Sequence, residues 1–157
     1  SLLHGVTEEY YESGKIRTLR KYKKNFLNGL NSFYDEKGNL RSLEDWNNGY
    51  IKNGLYFNKD GILFSIHTWG EMQSEVNKWI YHENAQLKSK RKYKNNLLDG
   101  VTKEYYESGE IKILRNYQKN ILHGLNKYFN EKGNLIMENN FKDGTLLKSK
   151  VIKENNS

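Results

Sequence analysis

Cysteine is absent from this 157-residue chain, so neither disulfides nor thiolate metal sites can hold its fold. Proline is absent too, which suits strands that must donate every ladder hydrogen bond. No run of about 18 or more apolar residues occurs, and no transmembrane segment is expected. Apolar residues are scarce at 36%, and the net charge is +7. Low hydropathy with excess charge is the composition of many disordered chains. Against disorder stand twelve tyrosines, six phenylalanines and three tryptophans, side chains that bury large areas and favour strands. Lys, Asn, Ile and Tyr are heavily used, and their AT-rich codons fit a low-GC bacterium.

The chain repeats itself. "GVTEEYYESG" at 5–14 returns as "GVTKEYYESG" at 100–109. With Gly14 as a marker, the equivalent positions are Gly38, Gly61, Ala85, Gly109 and Gly133, spaced 23 or 24 residues apart. Four residues before the marker stand Tyr10, Tyr34, Phe57, Tyr81, Tyr105 and Phe129. Two residues after it stand Ile16, Leu40, Leu63, Leu87, Ile111 and Leu135. Eight after it stand Tyr22, Trp46, Trp69, Tyr93, Tyr117 and Phe141. Columns at one period are the signature of a repeat array. Residues 1–157 read as a single array with units at approximately 5–28, 29–53, 54–75, 76–99, 100–123 and 124–147, then a C-terminal tail at 148–157. "SLLHG" at 1–5 matches "NLLDG" at 96–100. The chain is therefore expected to start partway through a unit, after removal of a leader or trimming.

Each unit reads as a hairpin. "VTEEYY" is a short strand, "ESGK", "EKGN" and "KDGI" are tight-turn chemistry, and "KIRTLRKYK" is the returning strand. A second turn ends most units, at Asn25 to Gly29, Gly49 to Gly54, Asn96 to Gly100 and Asn120 to Gly124. Turns every ten to twelve residues predict an all-β, elongated single antiparallel meander sheet of about six tandem hairpins. Residues 71–90 read as a degenerate fourth hairpin in which Val76 and Ala85 replace glycines. One hairpin is marginal alone, but stacked hairpins cover one another's columns. A regular strand would put Thr18 and Arg20 on the same face as Ile16 and Tyr22. A bulge would relieve that, and the register stays open.

The pattern aromatic-x-x-x-Gly-x-aliphatic-x(5)-aromatic, at a period of 23 to 24 residues over about 5–145, resembles the MORN repeat. It is most similar to the bacterial variant found in YwqK-family antitoxins. It departs in the fourth unit and in the third, where Gly54 stands seven residues before Gly61. The resemblance implies a sheet of hairpins serving as a scaffold or binding surface. Plant phosphatidylinositol phosphate kinases carry similar repeats beside their kinase domain. A kinase name would reflect the repeats alone, since no Gly-rich phosphate loop and no "VAIK", "HRD" or "DFG" motif is present.

The periodic aromatics read first as packing. Tyr11 and Tyr106, each following a column tyrosine, alternate to the opposite face and are candidate contact residues. Lys88, Lys90, Lys92 and Lys94 alternate, so a regular strand would set all four on one face. Arg17, Lys21 and Lys23 hold three of the matching positions in the first unit. Such patches attract acidic or phosphate-rich partners, and the plain alternative is a solvated outer face. His4 and His123 each precede a unit-start glycine, at the position held in other units by Asn28, Asn53 and Asp99, which is turn chemistry. No catalytic constellation, cofactor site or metal-ligand spacing stands out. The favoured function is non-catalytic binding of another protein, with the antitoxin- or immunity-like role implied by resemblance. The alternatives are a module for anionic phospholipid at a membrane surface and one for cell-envelope carbohydrate. Nucleic acid is disfavoured as a partner. A monomer or an end-to-end dimer is expected, cytoplasmic or exported.

Overall fold

The computed structural model describes residues 2–153; Ser1 and residues 154–157 of the expected tail lie outside the described residues. Every regular element among the described residues is a β-strand. The chain divides into two compact units, 1–73 and 74–157.

The first unit contains β1 (Gly5–Tyr10), β2 (Ile16–Lys23), the short β3 (Phe26–Leu27), β4 (Gly29–Tyr34), β5 (Leu40–Asn47), β6 (Tyr50–Phe57) and β7 (Leu63–Trp69). Its order is β1-β2-β4-β5-β6-β7, antiparallel throughout, with β3 folded back on β2. The second unit contains β8 (Glu75–Tyr81), β9 (Leu87–Lys94), β10 (Leu97–Leu98), β11 (Gly100–Tyr105), β12 (Ile111–Gln118), β13 (Ile121–Leu122), β14 (Gly124–Phe129), β15 (Leu135–Lys142) and β16 (Thr145–Val151). Its order is β8-β9-β11-β12-β14-β15-β16, with β10 on β9 and β13 on β12. The expected all-β antiparallel meander of hairpins is what each unit forms. Residues 71–90 contribute β8 and the start of β9, with no helix.

Local chemistry explains both kinds of turn. At the marker, the Gly14 N–H donates to the Tyr11 carbonyl at 2.9 Å, and Gly14 takes a φ of 81°. Ala85 adopts the same left-handed conformation at 66° without glycine's freedom. The second turn is tighter than the sequence suggests. Lys24 and Asn25 form a two-residue loop with φ of 50° and 70°, as a type I′ hairpin requires. Asn95–Asn96 and Lys119–Asn120 repeat it.

Gly29 lies beyond that loop, at an irregularity. Between the pairs Tyr22–Leu27 and Leu19–Ser32, the returning side holds two more residues than β2 does. The ladder therefore misses the Lys21 N–H. Asn31 repairs it: its Oδ1 accepts from Lys21 N at 2.6 Å, and its Nδ2 donates to the Gly29 carbonyl at 3.1 Å. Asn126 makes the first of these bonds, its Oδ1 accepting from the Asn116 N–H at 2.7 Å, while its Nδ2 is buried without a partner.

The core is not where the columns suggest. Among the described residues, Ile51 and Val76 are the buried hydrophobics, while Thr18, Asn31, Ser65, Ser89, Thr102 and Asn126 are buried polar residues. The column rings and aliphatics are half-buried, and Tyr10 is exposed. Within each unit the strands follow one open path, so large side chains have no facing layer to pack against. Small residues, screened by their neighbours, become the least accessible. Ile16, Leu19 and Tyr34 line a shared hollow between successive hairpins.

Candidate functional site

One irregularity decides which side chains share a face. In the β1–β2 hairpin Tyr10 opposes Ile16 while Glu9 opposes Thr18, so Arg17 is the extra residue of a β-bulge. The same shift recurs in β4–β5, β6–β7, β8–β9, β11–β12 and β14–β15. The extra residues are Arg41, Phe64, Lys88, Lys112 and Ile136. Directly opposed residues share a face and successive residues alternate. The bulge therefore separates the columns. Tyr10 and Ile16 lie on one face with Val6, Leu19, Lys21 and Lys23, called here the lysine face. Thr18, Arg20 and Tyr22 lie on the other, the asparagine face, with Asn31.

The lysine run is split by the same device. Ser89, Lys90 and Lys92 oppose Ile80, Trp79 and Asn77 in a regular ladder. Lys90, Lys92 and Lys94 stand exposed on the lysine face. Lys88 is the bulge residue and lines a hollow with Ser89 and Arg91 on the asparagine face. The expectation that all four share a face fails because one extra residue resets the alternation. In the first unit Lys21 and Lys23 stay on the lysine face, while the Arg17 guanidinium sits over the Tyr11 ring at 5.7 Å.

Tyr11 and Tyr106 are half-buried rather than exposed. The Tyr11 hydroxyl donates to the Tyr34 carbonyl at 2.7 Å, and the Tyr106 hydroxyl to the Phe129 carbonyl at 2.8 Å. Each thus ties its hairpin to the next. Lys112 lies over the Tyr106 ring at 5.3 Å, as Arg17 does over Tyr11. His82, at the matching place, has Nε2 3.4 Å from the Tyr105 carbonyl. Where the position is Asp35, Asn58 or Asn130, the side chain instead accepts backbone N–H groups of its own turn.

His123 does turn work. The Asp143 N–H lies 3.4 Å from its Nδ1, just as the Asn48 N–H donates to Asn28 Oδ1 and the Lys119 N–H to Asp99 Oδ2. Two groups have displaced acidities that bear on chemistry. Burial, then the nearby Glu44 carboxylate, pushes the Tyr56 phenol far above its ordinary range. Its hydroxyl donates to Glu44 at 3.0 Å. The Asn39 backbone N–H, foremost, holds the Asp35 carboxyl below its usual range. Tyr56 is thereby kept neutral and Asp35 ionised at neutral pH, which suits structural roles. Arg20–Glu9 and Arg115–Glu104, at 2.8 and 2.6 Å, occupy matching places in the two units.

Residues 3–24, 98–119 and 122–143 match the family model of the MORN repeat variant. These segments hold β1–β2, β11–β12 and β14–β15 with their bulges. Repeats of this kind are generally non-catalytic binding modules. No curated protein matches the chain.

Proposed function

We propose that this chain is a non-catalytic repeat module whose lysine face binds another protein, one bringing acidic and aliphatic side chains. The observation that carries this reading is a repeated exposed aliphatic at one register position. Val6 and Leu30 are 57% and 52% exposed in the first unit, and Val101 and Leu125 are 44% and 42% exposed in the second. Single exposed apolar residues are ordinary. Recurrence at one place in four hairpins, with cations beside them, describes a surface. Lys21 opposes Val6, and Lys103 and Lys127 stand two residues beyond Val101 and Leu125 on the same face. Apolar contact would supply affinity and the lysines partner choice. The resemblance to YwqK-family antitoxins supports a role in which the partner is a toxic protein held by surface coverage.

A second reading, anionic phospholipid, is favoured by Lys90 and Lys103, which stand directly opposite each other. Like charges so placed repel, and an anionic surface would relieve the repulsion. The test is affinity capture from the native host with wild-type bait and with a Leu30→Asp/Leu125→Asp bait of unchanged circular dichroism. An acidic protein retained by the first and lost from the second is expected. Equal retention by both would remove the lysine face from the reading. Retention of anionic vesicles with no protein would transfer the function to lipid.

A further inference from the structure

The asparagine face of the second unit holds a hollow of about 260 Å³ between the β8–β9 and β11–β12 hairpins. Lys88, Arg91 and Lys112 line it, with His82 at its side and Ser89 in its wall. Among the described residues none of the three cations is paired with an acid. The carboxylate at the hollow, Glu104, is already held by Arg115 at 2.6 Å. The cation–π contact between Lys112 and Tyr106 positions the ammonium without neutralising it. Ser89 is 2% exposed, and its Oγ has no hydrogen-bond partner. A buried hydroxyl without a partner is costly and calls for an explanation.

The buried hydroxyl without a partner recurs in the first unit at Thr18; what differs there is the pairing of the cations. The matching hollow is lined by Thr18, Arg20 and Glu44, and Arg20 is bound to Glu9 at 2.8 Å. Of the bulge residues there, Arg41 lies 3.6 Å from Asp35, while Arg17, like Lys112, stacks on a tyrosine without an acid partner. The cation excess belongs to the second unit.

We infer that this hollow binds a phosphate monoester. Two ammoniums, a guanidinium and a serine hydroxyl match a dianion with three terminal oxygens. A carboxylate offers one charge and two oxygens, and would leave a cation or Ser89 unmatched. The volume admits a phosphate and a few atoms of its carrier. A free small phosphate and a phosphorylated side chain share this chemistry. The site stands on the face opposite the exposed aliphatics and does not depend on what binds them.

The test is a titration of the full ¹⁵N-labelled chain, followed by amide chemical shifts, in phosphate-free buffer at constant ionic strength. The probes are inorganic phosphate, a phosphoserine peptide, acetate and chloride. Saturable shifts at Ser89, Arg91 and Lys112 are expected with the phosphates and not with acetate or chloride. Lys88→Gln/Lys112→Gln should weaken binding by about tenfold or more, and Ser89→Ala by about fivefold. Lys90→Gln/Lys94→Gln, on the other face, should change it by less than about twofold. The two lysines of the first variant are exposed, so that variant keeps its fold even if Ser89→Ala does not. Tighter binding of the phosphopeptide assigns a phosphorylated side chain, and equal or weaker binding assigns a free phosphate. Shifts that follow ionic strength, occur equally with acetate, or survive the Lys88/Lys112 substitutions would overturn the assignment.

Discussion

Single side chains do the work that a hydrophobic core does in thicker domains. Asn126 is the sharpest case, fully buried and accepting the one N–H that its ladder misses. Asn126→Ala removes that acceptor and leaves the Asn116 N–H without its partner. A loss of about 1–3 kcal/mol is expected, read as a lower denaturant midpoint. Asn126→Thr should not recover it, because the Thr102 hydroxyl at the matching place is buried without a partner. Tyr56 makes a pH prediction whose sign follows from its raised pKa. The unfolded phenol ionises near its ordinary value of about 10, while the folded one keeps its proton. Stability from this group is therefore full below that pH and falls as pH rises above it. Wild type should lose more stability than Tyr56→Phe between about pH 9 and 11, in denaturant titrations at each pH. Equal losses would show that the buried hydroxyl is not the source.

At the scale of the hairpin, the turn chemistry was legible from sequence and the pairing was not. Glycine at the marker announces positive φ, and Asn-rich pairs announce type I′ loops, so turns could be placed to within a few residues. The bulge leaves no such mark. Its extra residue is Arg17, Arg41, Phe64, Lys88, Lys112 or Ile136, types with nothing conformational in common. The hint lay in the strain of the alternative, since Thr18 and Arg20 could not share a face with two apolar columns. The lysine alternation misled because it presumed an unbroken strand, and this is why the Lys88–Ser89–Arg91 hollow was not foreseen. The fourth hairpin tests the turn argument. Ala85 holds a φ of 66°, where a Cβ costs roughly 1–2 kcal/mol. Ala85→Gly should return most of that, offset by glycine's extra freedom when unfolded. A net gain of about 0.5–1 kcal/mol is expected from thermal or denaturant unfolding. A loss would mean that the β8–β9 turn is not left-handed in solution.

Over the whole molecule, charge is divided unequally. Residues 1–73 carry ten basic and nine acidic side chains, a net +1, and residues 74–157 carry sixteen and ten, a net +6. The chain's net of +7 is thus largely a property of its second unit. Composition alone cannot separate a diffuse attraction from a located one, but two substitutions of equal charge can. Lys90→Gln/Lys92→Gln/Lys94→Gln and Arg17→Gln/Lys21→Gln/Lys23→Gln each lower the net charge of the chain from +7 to +4. Long-range attraction that depends on net charge alone would weaken equally in both. Attraction focused by a local field responds to where the charges stand, and it is screened beyond about 8–10 Å at physiological salt. In the second unit the lysine face sets Lys90 against Lys103, with the Lys127–Glu138 contact of 3.6 Å further along. In the first unit Leu30 lies opposite Asp45, an acid among the exposed aliphatics. Cosedimentation with anionic vesicles at low salt should therefore fall several-fold more for the Lys90/Lys92/Lys94 variant than for the Arg17/Lys21/Lys23 variant. For wild type it should fall steeply as salt rises through the physiological range. Equal losses in the two variants would reduce the lysine face to bulk charge. Vesicle binding indifferent to salt would remove electrostatics from the account and leave the exposed aliphatics to carry the contact.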